Sequence, residues 1–378
     1  MYRKASVSTV MFGALLFNTY AYSKDFRYLS ETDKTFAYIE SMQKAVDPGC
    51  EIRAEWEIGK IKQAAKELAL KNCGADESCS EKLFESVLNE VVGNTVLPTR
   101  CESYISYSIL DDLVKTVVES QRKHIDSQKQ FPPYGTFLSH SFNASATGNP
   151  YNDGYIILFN YTLFTHINEF VKAVLYYGQI NNGARLPITA EQLAASLARN
   201  TAYVVTKGKV ERAGNLPFNH LPLEIINEVV KAIELFVVFH EYSHVILGHT
   251  AGNAMPLPSS PNVKILNRAQ KNELAADELG SKMLREHLSK LPTASGLDSK
   301  SIHGDVMFLT MVEIFEEAMQ IAGKKIQETT HPAATVRLSE LAEESGGISN
   351  KKQFGYSFRE NALSLWALAK KHYDPLVQ

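Results

Sequence analysis

Residues 235–247 read LFVVFHEYSHVIL, an apolar helical pattern that contains two histidines and a glutamate. His240 and His244 are four residues apart, so their imidazoles project from the same helix face and can reach one metal ion. Glu241 lies about 100° further round the helix, where it can take a proton from a water that the metal activates. Burying these ionisable side chains in an apolar run is costly without a compensating partner. The stretch therefore predicts a zinc hydrolase site rather than a helix with two unrelated histidines.

A zinc site that keeps one position open for water needs a third protein ligand. His249 falls on the opposite face of a continuous helix from His240, so we do not expect it to bind the metal. We expect Gly248 and His249 to end the helix instead. Glu273, further along the chain, begins the sequence Glu-Leu-Ala-Ala-Asp and is the better candidate for the third ligand.

Asp277 follows Glu273 by four residues, so the two carboxylates face the same way on a helix. The small residues Ala275 and Ala276 between them would let this helix pack closely against the histidine helix. Asp277 could then orient the ring of a metal-bound histidine. Alone, such a pair would indicate a solvated helix face, but its position after the histidine motif favours a metal site.

These motifs are followed by a later segment, His331-Pro-Ala-Ala-Thr-Val-Arg337, and the three occur in a recognisable order. The order H-E-x-x-H, E-x-x-x-D, H-P-x-x-x-x-R resembles the gluzincin metallopeptidases of the CAAX-prenyl-protease type, a family that includes soluble exported members. The resemblance covers roughly residues 135–345. It implies a zinc-dependent endopeptidase that binds one zinc ion per chain and acts on a polypeptide substrate.

The resemblance also implies a role for each motif residue. Zinc would be held by His240, His244 and Glu273, with Glu241 as the general base and Asp277 and Arg337 as a supporting pair. His331 would lie near the metal, where it would either stabilise the oxyanion or occlude the metal in a resting state. The alternative for His331 is a residue that only begins a helix before Pro332.

Two features depart from this family. The gap between His244 and Glu273 is shorter than in many members, and residues 24–130 match nothing familiar. Short gaps also occur in the Lit-type phage-exclusion peptidases, which are our second resemblance, and in ImmA-like regulators. Both share the H-E-x-x-H plus glutamate pattern, but most of these proteins are cytoplasmic.

The N-terminus has the three parts of a secretory signal peptide. Arg3 and Lys4 precede a short apolar run, and Ala21 and Ser23 occupy the positions that a signal peptidase reads. We therefore interpret residues 1–23 as a signal peptide and expect a periplasmic or secreted protein. The alternative is an apolar N-terminus on a cytosolic protein.

All four cysteines lie in one stretch, as expected for a disulfide-bonded exported region. We favour Cys73–Cys79, which would close a short turn, and Cys50–Cys101, which would tie two helices together. A four-cysteine zinc site is the competing interpretation, but such sites usually show two close pairs. The sequence has only one close pair.

Hydrophobic periodicity predicts an α+β fold, mainly helical with a small antiparallel sheet. We expect a helical N-terminal region over residues 24–130 and a metallopeptidase domain over residues 131–378. Two β-rich stretches, 136–146 and 155–164, flank a dense turn signal and predict a hairpin. Helical patterns follow at 167–178, 189–206, 223–247, 267–288, 302–322, 333–344 and 357–373.

Composition limits the other classes of function. The net charge is −3 without a basic cluster, which argues against nucleic acid as a partner. No apolar stretch after the leader reaches membrane-spanning length, so we expect no membrane span in the mature protein. Two alternatives to an endopeptidase remain: a zinc-stabilised binding or chaperone-like envelope protein that does not cleave, and a zinc enzyme that hydrolyses a non-peptide bond.

Overall fold

The structure is a computed structural model of the 378-residue chain. It describes residues 28–91, 97–121, 131–137, 144–152, 154–207, 222–249, 268–291, 296–324, 331–344 and 354–377. The predicted signal peptide, residues 1–23, lies outside the described residues.

The described residues form mainly helices. In chain order these are α1 (Lys34–Val46), α2 (Arg53–Cys73), α3 (Glu77–Val91), α4 (Tyr104–Gln121), α5 (Tyr161–Asn181), α6 (Ala190–Lys207), α7 (Leu223–Ile246), α8 (Arg268–Leu288), α9 (Gly304–Ile321), α10 (Ala334–Glu344) and α11 (Phe354–Val377). The strands are β1 (Tyr134–Phe137), β2 (Ala144–Gly148) and β3 (Tyr155–Asn160), and they make one small mixed sheet in the order β1-β3-β2. The predicted α+β, mainly helical class is confirmed.

The chain divides into two compact units. The first comprises Met1–Asp111 and Gly135–Leu138, and the second comprises Asp112–Tyr134 and Ser139–Gln378. In the first unit, α2 and α3 pack against each other. Both predicted disulfides are confirmed there: Cys73–Cys79 bridges the turn between α2 and α3, and Cys50–Cys101 links positions 51 residues apart.

The second unit contains the predicted hairpin. β2 and β3 pair antiparallel, with Ala146 opposite Ile157, so the antiparallel pairing predicted here is confirmed. The predicted strand over 155–164 is wrong beyond residue 160, where α5 starts. The side chain of Asn160 accepts a hydrogen bond from the backbone N–H of Thr162, which is an N-cap that overrides the β-branched and aromatic composition that follows.

Helix α7 lies in the interior of the second unit. Its apolar run buries Phe236 and Phe239 completely. Helices α5, α8 and α9 all pack against α7, while α6 and α11 pack against each other. Each helix predicted from the periodicity of residues 189–373 is present, with its ends shifted by a few residues. Among the described residues, no helix combines the length and apolar composition needed to cross a bilayer.

Candidate metal centre

The two histidines of α7 point into one cluster. His240 is buried and His244 is half-buried, and their Nε2 atoms lie 3.2 Å apart. The rings meet edge to face, with centroids 4.8 Å apart. This is the arrangement that the four-residue spacing predicts, because residues i and i+4 lie above one another on one helix face.

Helix α8 brings a carboxylate to the same point. Oε2 of Glu273 lies 3.4 Å from Nε2 of His240, and Oε1 lies 3.3 Å from Nε2 of His244. One ligand atom from each of these three residues lies within 4.8 Å of the others, so the three side chains could hold a metal ion. The structure thus places together the ligand set predicted from the sequence.

A glycine permits this close approach of the two helices. A Cβ atom on Gly280 of α8 would lie 3.1 Å from both the backbone N and the Cα of His240. Most side chains at this position would therefore push α8 away from α7. Ala275 and Ala276 were the small residues predicted for this interface; Gly280, which follows Glu273 by two helical turns, was not predicted.

The electrostatics of Glu273 suit a cation ligand. Burial opposes its ionisation, but the neighbouring imidazoles of His240 and His244 outweigh burial and hold the pKa of the carboxyl below its usual value. Oε2 is buried, and no described residue satisfies it with a hydrogen bond. A buried, ionised carboxylate oxygen without a donor fits an added cation, so these residues fit a metal ion.

Asp277 contacts His240 on the side of the ring that faces away from the cluster. Its Oδ1 lies 2.9 Å from Nδ1 of His240, the ring nitrogen that faces away from the cluster. Arg337 of α10 binds both carboxylate oxygens, with Nε donating to Oδ2 and Nη2 donating to Oδ1, each at 2.6 Å. Asp277 and Arg337 are both buried. A buried, bidentate pair of this kind fixes the carboxylate that in turn contacts His240.

Glu241 is buried beside the cluster. Burial raises the pKa of its carboxyl, and the nearby His240 and His244 partly oppose the rise. The backbone N–H of Ala146 in β2 donates a hydrogen bond to this carboxylate. The hairpin was predicted from the sequence, but the contact between its strand β2 and Glu241 was not.

His331 lies just before α10. Its Nε2 is 3.4 Å from Oε2 of Glu273, and 43% of its side chain is exposed. Burial lowers the pKa of the imidazole, and the adjacent Glu273 opposes this change. The backbone N–H of Ala334 at the start of α10 donates to the Glu316 carboxylate. The His331 ring reaches the edge of the cluster, beside Glu273.

His249 follows the end of α7 and contacts His244 of the cluster. Nδ1 of His249 lies 3.3 Å from Nδ1 of His244, the nitrogen on the far side of that ring from Glu273. Gly248 and His249 were predicted to end the helix. Helix α7 does end at Ile246, so that prediction is confirmed.

Comparison with known proteins bears on the activity. A model of the family Peptidase U49 matches residues 201–357, a segment that contains every candidate site residue from His240 to Arg337. The match supports a peptidase. It is close to the Lit-type resemblance and does not confirm the CAAX-prenyl-protease type. Searches of curated proteins and of solved structures gave no significant match.

Proposed function

We propose that this protein is an exported zinc endopeptidase of the gluzincin type, with Glu241 as its general base. The observation that carries the proposal is the convergence of His240, His244 and Glu273 within 4.8 Å, inside the segment matched by a peptidase family. Two imidazole nitrogens and one carboxylate are a donor set that zinc prefers, and three protein ligands leave one position open.

Zinc, when bound, would supply a water of lowered pKa and a positive charge beside the scissile carbonyl. The protein supplies the base. Glu241 follows the first ligand directly, and its raised pKa suits a group that must accept a proton and then release it. The N–H of Ala146 holds the carboxylate in place, so that it need not reorganise when the proton arrives.

The substrate, in this proposal, lies extended along β2. This strand pairs with β3 and lies at the end of the sheet order, so among the described residues no strand pairs with its other edge. The Ala146 N–H that reaches Glu241 belongs to this edge, and alternate residues of a strand present their N–H groups on the same side. A peptide added there would bind mainly through its backbone, which gives little sequence selectivity.

His331 is the donor that we assign to the oxyanion. Its Nε2 lies at the edge of the cluster, and its partly exposed ring can meet a substrate from the solvent side. The alternative assignment, in which His331 occludes the metal in a resting state, uses the same position. The two assignments predict opposite effects on turnover when His331 is replaced. Loss of an oxyanion donor lowers turnover, whereas loss of an occluding ring raises it.

The exported location is supported by the two disulfides, since such bonds persist in oxidising compartments. The sequence of residues 1–23 gives the same indication.

The decisive experiment is cleavage of unfolded casein by the full mature chain, with and without a chelator. We expect chelator-sensitive cleavage. Glu241→Gln should lower kcat by roughly 10²–10⁴-fold while zinc stays bound, because the amide cannot take a proton. Glu224→Gln, an exposed change on the same helix, is the matched control.

Two results would contradict parts of the proposal. Equal activity in Glu241→Gln and the wild type would remove Glu241 as the base. Zinc binding without any cleavage by the wild type would overturn the peptidase proposal in favour of a non-cleaving zinc module.

A further inference from the structure

The turn after α7 folds back onto the helix. Gly248 has a φ of +67°, a left-handed conformation that ends the helix and that other residues rarely adopt. The backbone N–H of His249 then donates to the carbonyl oxygen of His244 at 2.9 Å. This reversal returns the His249 side chain to the face of α7 that carries the cluster. A helical wheel would place it on the opposite face.

The two nitrogens of His244 consequently meet different partners. Nε2 lies 3.2 Å from Nε2 of His240 and 3.3 Å from Oε1 of Glu273, so this nitrogen belongs to the cluster. Nδ1 lies 3.3 Å from Nδ1 of His249. The rings of His244 and His249 meet edge to face, with centroids 5.3 Å apart and an angle of 69° between their planes.

We propose that His249 is a positioning residue for the metal ligand His244, an inference that rests on the metal site proposed above. A histidine that binds a metal through Nε2 carries its proton on Nδ1. His244 therefore donates from Nδ1, and His249 accepts at Nδ1 with its own proton on Nε2. The pair fixes both the tautomer and the ring orientation of His244.

This role parallels that of Asp277. Asp277 contacts Nδ1 of His240, and His249 contacts Nδ1 of His244, so each ligand imidazole is held at the nitrogen that faces away from the metal. The partners differ in charge. A carboxylate makes the His240 ring more basic, whereas a neutral imidazole orients His244 without adding a second buried anion.

Two simpler roles for His249 fit the geometry less well. A metal ligand would direct a nitrogen at the cluster, but Nδ1 of His249 meets the far side of the His244 ring. A helix cap needs only the backbone N–H of residue 249, which any residue except proline supplies. The contact between the two rings depends on the histidine side chain itself.

The test compares zinc affinity in the full mature chain by competition with a chelating dye. His249→Phe keeps a ring but removes the acceptor, and we expect zinc to bind roughly 10–100-fold more weakly. His249→Asn places an amide oxygen close to the position of the lost Nδ1, and we expect it to restore most of the affinity. Leu247→Ala, an exposed change in the same turn, is the control and should bind like wild type.

The melting temperature of each metal-free variant separates positioning from folding. We expect the metal-free Phe and Asn variants to melt close to the metal-free wild type. A Phe variant that binds zinc as tightly as wild type would overturn the proposal, as would an Asn variant no better than Phe. A wild-type chain that binds no zinc would instead overturn the metal site itself, and this inference with it.

Discussion

At the scale of single residues, the cluster is defined by which nitrogen of each imidazole faces inward. Nε2 of His240 and Nε2 of His244 face Glu273, and each Nδ1 has a separate partner. When the partner of Nδ1 keeps the proton of a neutral imidazole on that nitrogen, Nε2 is left free to bind a cation. Partners outside the ligand set are therefore expected to influence metal affinity, by roughly 10–100-fold.

Replacing Glu273 tests the third ligand. Glu273→Ala removes the only carboxylate that contacts both imidazoles in the part of the chain that the structure describes. We expect the zinc content of the purified mature protein to fall from one per chain towards none. Glu278→Ala, an exposed change on the same helix, should leave the content unchanged. Full zinc in the Glu273 variant would redirect the search for the ligand to His331 or another carboxylate.

Breaking the Asp277–Arg337 pair tests the support behind His240. Asp277→Asn leaves a buried guanidinium without its anion, so we expect the free energy of unfolding to fall by roughly 3–5 kcal/mol. In the double variant Asp277→Leu with Arg337→Met, neither charge is buried, and most of that stability should return. Urea unfolding of the metal-free proteins measures both effects.

The same double variant separates positioning from packing. His240 still lacks its partner at Nδ1, so zinc affinity should stay roughly 10–100-fold below wild type even where stability recovers. If zinc affinity returns together with stability, Asp277 serves the fold and not the metal site.

At the scale of secondary-structure elements, the site depends on how closely α8 approaches α7. Gly280→Ala should raise helix propensity, but its Cβ would lie 3.1 Å from backbone atoms of His240 that cannot move aside easily. We expect a loss of about 1–3 kcal/mol in the free energy of unfolding. Zinc binding should weaken too, because α8 carries Glu273.

The matched control is Gly59→Ala in α2, where a Cβ would meet nothing within 4 Å. This change should stabilise the protein by about 0.5–1 kcal/mol, as expected for a helical glycine with free space around it. If Gly280→Ala raised the free energy of unfolding by a similar amount, α7 and α8 would be able to move apart without cost.

Hydrophobic patterns predicted the elements of the second unit well. Helix α8 buries one face, which gives a helical period, and α7 is buried on all sides from Ala232 to Ser243, which gives a long apolar run. The patterns failed at residues 161–164, whose composition favours a strand. The deciding interaction is the cap at Asn160, whose side-chain oxygen accepts hydrogen bonds from the backbone N–H and the hydroxyl of Thr162, and propensity does not reveal such a local cap.

The close approach of His240 and His244 could be predicted because i and i+4 spacing on a helix fixes relative position. The contacts that hold the cluster could be predicted only in part. His249 was placed by a helical wheel, which no longer applies beyond Gly248. The contact of Ala146 with Glu241 joins a strand to a helix far apart in sequence, and local periodicity carries no information about it.

At the scale of the whole molecule, the peptidase family match and the disulfides fall on different units. The match covers residues 201–357, within the second unit, while both disulfides lie in the first. The stability of the first unit therefore has to be explained separately, from its disulfides. Cross-links reduce the conformational entropy of the unfolded chain, and they do so more as the closed loop lengthens.

Removing each disulfide in turn tests that account. For the 51-residue separation of Cys50–Cys101, replacing both cysteines by alanine should cost about 4 kcal/mol in the free energy of unfolding. For the 6-residue separation of Cys73–Cys79, the cost should be about 2 kcal/mol. Denaturant unfolding, monitored by a signal from the first unit, measures both, and equal costs would contradict the loop-entropy account.

Thiol titration of the wild-type chain connects this prediction to the proposed export. Protein made with residues 1–23 and recovered outside the cytoplasm should show no free thiol, because both bonds form in an oxidising compartment. Protein made in a reducing cytoplasm without those residues should show four free thiols and the stability of the variant that lacks both disulfides. Retention of the full-length chain in the cytoplasm with reduced cysteines would contradict export, and would leave the Lit-type, cytoplasmic resemblance as the better description.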